Sequence, residues 1–82
     1  MPRKVLIVDD TEINVGLFAA LVKKLGDCEV KTFFSAPQGL AWAKDHDLDL
    51  VIVDYMMPDL DGIEFISQLR KDPAKDGLPI LM

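Results

Sequence analysis

Cysteine, histidine, tryptophan and tyrosine each occur once in these 82 residues. A lone thiol, Cys28, excludes an internal disulfide, so the fold rests on packing and suits a reducing compartment. Long apolar runs are also missing. Met1-Pro2-Arg3-Lys4 leads into the four strongly apolar residues Val5 to Val8, far short of a signal-peptide core or the roughly 20 residues of a membrane span. The expectations are a cytoplasmic location and no membrane partner. Basic residues are scarce and scattered: nine against fourteen acidic ones, net charge −5, with Arg3-Lys4, Lys23-Lys24 and Arg70-Lys71 as the longest blocks. That distribution excludes the clustered positive charge of a nucleic-acid surface and favours a cation as partner.

What is present is a globular composition, half of it hydrophobic, in a chain long enough for one small domain and one core. Val5 to Val8 shows no alternation and is rich in β-branched residues, the pattern of a parallel strand covered on both faces. From Glu12 to Leu25 the spacing becomes helical, with Ile13, Leu17, Leu21 and Leu25 four apart, Asp10 or Thr11 as N-cap and Gly26 as stop. Cys28 to Phe34 alternates weakly, which suits an edge strand. Ser35-Ala36-Pro37-Gln38 resembles a capping box opening a helix with Leu40, Trp42 and Ala43, ended by the polar stretch Lys44 to Asp47.

Asp49 to Val53 reads as a second fully buried strand, and Pro58, Asp59, Asp61 and Gly62 mark a tight loop. A third helix is expected from about Ile63 to Lys71, with Ile63, Ile66 and Leu69 on one face and Asp72-Pro73 at its end. Pro79 to Met82 begins a fourth strand. The order β-α-β-α-β-α-β predicts an α/β fold, a parallel sheet with right-handed crossovers and helices on both faces. Ligands of such sheets bind at the carboxyl ends of the strands, where the strand order reverses.

Both buried strands end in acid: Asp9-Asp10 after the first and Asp54 after the third. Three carboxylates held together repel one another when ionised, and a hard divalent cation with oxygen ligands relieves that repulsion. The pattern therefore points to Mg²⁺ with a phosphate oxygen in its shell. A carboxylate is also a nucleophile, and Asp54, alone at the end of the longest buried strand, is the better candidate for it; Asp9 and Asp10 are better placed as metal ligands. Blander readings stand beside these. Asp10 could be a helix cap alone, Asp54 a turn residue, and Asp59 and Asp61 solvated or capping groups. His46, between Asp45 and Asp47, reads as an exposed loop residue, and Trp42 as packing.

Val5-Leu6-Ile7-Val8-Asp9-Asp10, the run Asp49 to Gly62 with its Asp54, Pro58 and Gly62, and Leu78-Pro79-Ile80-Leu81-Met82 together resemble a response-regulator receiver domain of bacterial two-component signalling. The resemblance implies a flavodoxin-like, doubly wound parallel sheet of strand order 2-1-3-4. It makes Asp54 the phosphoacceptor, Asp10 the direct Mg²⁺ ligand and Asp9 its acidic neighbour, with a backbone carbonyl from Met56 on the metal. Pro58 and Gly62 would shape the site. Implied partners are a sensor histidine kinase or phosphotransfer protein, and an output domain not contained in this chain. The domain so implied is a signalling phosphoacceptor and not an enzyme.

Receivers carry a Ser or Thr past the fourth strand and a Lys at the end of a fifth, and this sequence contains neither position. The expectation is a partial receiver over residues 1–82 without α4, β5 and α5. An uncovered sheet edge and apolar surface would then favour a homodimer or strand-exchanged oligomer. One alternative is a folding or dimerisation unit without productive phosphorylation. A Mg²⁺-dependent phosphatase with an aspartyl nucleophile is disfavoured, because Met56 stands where that group carries a second Asp.

Overall fold

The computed structural model describes residues 3–54, 62–75 and 77–81. Its elements are β1 (Arg3–Val8), α1 (Glu12–Lys24), β2 (Cys28–Phe33), α2 (Ala36–Lys44), β3 (Leu50–Val53), α3 (Gly62–Arg70), a 3-10 turn (Pro73–Lys75) and β4 (Ile80–Leu81). All strand pairs are parallel and the order is β2-β1-β3-β4, as the α/β pattern and the resemblance implied. β3 and β1 are the two interior strands, and β1 is paired on both sides, to β2 and to β3. The strand order reverses beside it.

Alternation along β1 divides the core in two. Leu6 and Val8 face α2 and α3 together with Val51, Val53, Leu40, Phe65 and Leu69. Val5 and Ile7 face α1, where they meet Val15 and Val22. Burying side chains from both faces is what makes β1 read as an unbroken apolar run.

Several sequence expectations require correction. The apolar repeat of α1 is not its buried face: Ile13 and Leu25 are 85% and 80% exposed, Leu17 and Leu21 at least half exposed. The helix instead packs through Val15 and Val22, with Phe18 and Ala19 beside them. A four-residue period identifies a stripe, but burial goes to the stripe that the β-α connection turns toward the sheet. In α3, Ile63 is 55% exposed and the core contacts are Phe65 and Leu69. β3 is fully buried only through Val51 and Val53; Leu50 and Ile52, facing α1, are half-buried. β2 ends at Phe33, leaving Phe34 exposed.

The helix ends follow the sequence in position but not in side-chain bonding. Thr11 and Ser35 occupy the N-cap positions, yet neither side chain caps its helix, so the capping box at Ser35 and Gln38 is not formed. Gly26 follows α1 at φ +135°, a conformation that glycine adopts without a side-chain clash. His46 is exposed, as expected, and its ring stacks on Trp42 at 4.0 Å. Its Nδ1 donates to the Trp42 carbonyl at 2.7 Å.

Candidate functional site

Register brings the acids together. Val8 pairs with Val53 across β1 and β3, so Asp9 and Asp54 leave the sheet side by side. The Asp54 N–H donates to the Val8 carbonyl at 2.9 Å, and the Asp9 N–H donates to the Phe33 carbonyl at 3.2 Å. The ends of β2, β1 and β3 are thereby tied into one rim, at the strand-order reversal. Asp10 is the next residue, exposed at the entrance to α1. Ligand oxygens of Asp9, Asp10 and Asp54 lie within 4.8 Å of one another.

Asp9 is the buried member of the three, at 3% exposure. A buried carboxylate is tolerated when its oxygens are hydrogen-bonded. Thr11 supplies both bonds: its N–H and its Oγ1 donate to Asp9 Oδ1 at 3.0 and 2.8 Å. The hydroxyl that could cap α1 is thus turned back to hold the plane of the Asp9 carboxylate. Asp54 is half-buried at the end of β3. Asp9, Asn14 and Asp54 stand at the polar end of an open groove of 510 Å³ whose wall and floor include Phe18, Leu21, Ile52 and Leu81.

The donor set fits a hard divalent ion. Mg²⁺ binds oxygens at 2.0–2.1 Å, so ligands on opposite sides of an octahedron are about 4.2 Å apart. Neighbouring positions of the octahedron are about 3 Å apart, so the three side chains, within 4.8 Å of one another, would draw in to share one ion. Carboxylates are the hard ligands such an ion selects. Met56, Pro58, Asp59 and Asp61 fall outside the described residues, and Gly62 is the buried first residue of α3.

The family model for the response regulator receiver domain matches residues 5–82. The chain belongs to the response regulator receiver family. This receiver is 31% identical over 81 residues to the polar-differentiation response regulator DivK of Brucella anthropi, covering 99% of the chain and 65% of that relative. It therefore spans just under two thirds of the length of the curated relatives it matches. The chemotaxis response regulator CheY4 of Vibrio cholerae superposes with a TM-score of 0.92 at 30% identity, over 100% of this chain and 68% of that one. A structure of the histidine kinase ThkA in complex with the response regulator protein TrrA contains a chain with a TM-score of 0.82 and 28% identity, covering 95% and 65%. The receiver family and fold anticipated from the sequence stand on these matches, and the strand order stands on the sheet itself.

Two contributors to the site had little sequence signal. Thr11 looked like a cap because capping and an Asx-type bond to Asp9 use the same residue types at the same place. Asn14 joins the groove only because α1 starts where it does. Among the described residues, no helix is long and apolar enough to cross a membrane.

Proposed function

We propose that this receiver accepts a phosphoryl group on Asp54 from the phosphohistidine of a sensor histidine kinase or phosphotransfer protein, with Mg²⁺ held by Asp9, Asp10 and Asp54. The observation that carries the reading is the convergence of three carboxylates, from two distant pieces of chain, within 4.8 Å at the rim of the sheet. The kinase complex among the similar structures supports the partner class.

A carboxylate oxygen of Asp54 attacks phosphorus, the P–N bond to the donor imidazole breaks, and its electron pair stays on the ring nitrogen. Asp54 suits this role better than its neighbours. Asp9 is nearly closed off at 3% exposure whereas Asp54 is half-buried, and Asp10 stands where α1 begins. The Asp54 backbone is fixed by its bond to Val8, which limits the space its carboxylate must search before attack. Bound Mg²⁺ supplies neutralisation of charge on the transferring phosphoryl oxygens. Asp9 and Asp10 would hold the ion beside Asp54, and the family resemblance implies the Met56 carbonyl as a further ligand.

The same reading makes this a cytoplasmic signalling phosphoacceptor whose output is carried by a separate domain. It also includes pairing between copies through the α1 side, where Leu21, Leu25 and Leu81 are exposed. Incubation with phosphoramidate and Mg²⁺ followed by intact mass tests the chemistry. The expected adduct is roughly 80 Da, one phosphoryl group, absent in Asp54→Asn and after chelation with EDTA. No adduct on the wild-type chain, or an equal one on Asp54→Asn, rejects the reading and leaves a folding or dimerisation unit.

A further inference from the structure

Gly39 lies in α2, with its N–H bonded to the Ser35 carbonyl at 3.0 Å, and its Cα faces Val8 of β1 and Phe33 of β2. A methyl group on its Cα would stand 2.8 Å from Val8 Cγ2, and 3.5 and 3.6 Å from Cβ and Cδ2 of Phe33. Carbon atoms pack at about 3.5–4.0 Å, so the first of these contacts is a collision. Val8 has no room to yield. It is 0% exposed, and a β-branched side chain has few rotamers to move into.

The two residues against Gly39 are the two whose carbonyls hold the acidic rim. Val8 accepts from the Asp54 N–H, and Phe33 accepts from the Asp9 N–H; Val8 is also joined directly to Asp9. We infer that Gly39 is a positioning residue for the acidic site: its missing side chain lets α2 press on Val8 and Phe33 and so sets the spacing of Asp9 and Asp54. The consequence for Mg²⁺ rests on the function proposed above, whereas the positioning itself does not. Outer contacts that orient metal ligands are worth 10–100-fold in affinity.

The test uses Gly39→Ala, Val8→Ala and the double variant, each compared with the wild-type chain. In metal-free ¹⁵N–¹H spectra, Gly39→Ala is expected to shift the amides of Asp9 and Asp54 more than that of Ala41 on the exposed side of α2. The double variant, which removes Cγ2 of Val8, is expected to return both amides to their positions in Val8→Ala. If Gly39→Ala alone does not fold, the double variant carries the test through the same two amides. In the Mg²⁺ arm, Gly39→Ala is expected to bind about tenfold more weakly, with recovery in the double variant. Lower stability with unmoved Asp9 and Asp54 amides would make Gly39 a packing residue only and overturn the inference, as would displaced amides in the double variant. Should the wild-type chain fail to take Mg²⁺, the proposed metal site falls, and the metal-free amides still decide the role of Gly39.

Discussion

The α2–α3 face of the sheet buries Leu6, Val8, Val51 and Val53 to 2% exposure or less, whereas the α1 face leaves Leu50 and Ile52 half-buried beneath a groove of 510 Å³. Apolar content does not distinguish the two sides, since α1 carries leucines as regularly as any helix in the chain. What differs is how much of that content meets a neighbour. Phe65 and Leu69 lie between α3 and the sheet at 0% exposure, while Leu25 of the α1 end stands 80% in solvent. Stability should therefore reside on one face, and the site lies where the two meet, at the ends of β1 and β3.

Substitutions can break that contrast, beginning with the largest effect. Phe65→Ala removes a fully buried ring and should cost about 3–5 kcal/mol, a large share of what a small domain possesses. Urea denaturation followed by circular dichroism would show a midpoint collapse, and a loss below about 1 kcal/mol would refute the assignment of the main core to this face. Val22→Ala, the corresponding cut under α1, should cost about 2 kcal/mol from two lost methyl groups. A loss equal to that of Phe65→Ala would mean that the faces share the load.

Smaller effects are expected at the seam between the two faces. Thr11→Val keeps the N–H bond to Asp9 but removes the hydroxyl, with an expected cost of about 1 kcal/mol in the same denaturation assay. Isothermal titration should show weaker Mg²⁺ binding as well, restored by Thr11→Ser; unchanged binding would reduce the hydroxyl to a local turn bond. Leu25→Ala should alter stability by less than about 0.5 kcal/mol, because its side chain is already solvated. A larger loss would show that the exposed stripe is covered in solution.

The sequence was most informative where one local feature had one meaning. Val5 to Val8 and Leu50 to Val53 have no polar residue to place outward, so both identified themselves as interior strands, and Asp9, Asp10 and Asp54 were visible as their ends. Helix faces were less legible. The regular spacing of Ile13, Leu17, Leu21 and Leu25 outweighed Val15 and Val22 on paper, yet the shorter pair faces the sheet. Spacing describes one helix, while burial depends on the direction in which the chain enters it. Register was invisible for a similar reason: nothing local states that Val8 pairs with Val53, although that pairing brings Asp9 beside Asp54. Gly39 gave no signal at all, since its role depends on a side chain from another element.

Whether acids from two distant segments hold one ion is decided by a Mg²⁺ titration followed by ¹⁵N–¹H spectra. The amides of Asp10 and Asp54 should move along one saturable curve with a single dissociation constant, and Asp10→Asn should weaken the response of both together. Separate affinities at the two amides, or an Asp54 amide that ignores Mg²⁺ while Asp10 responds, would contradict a shared site.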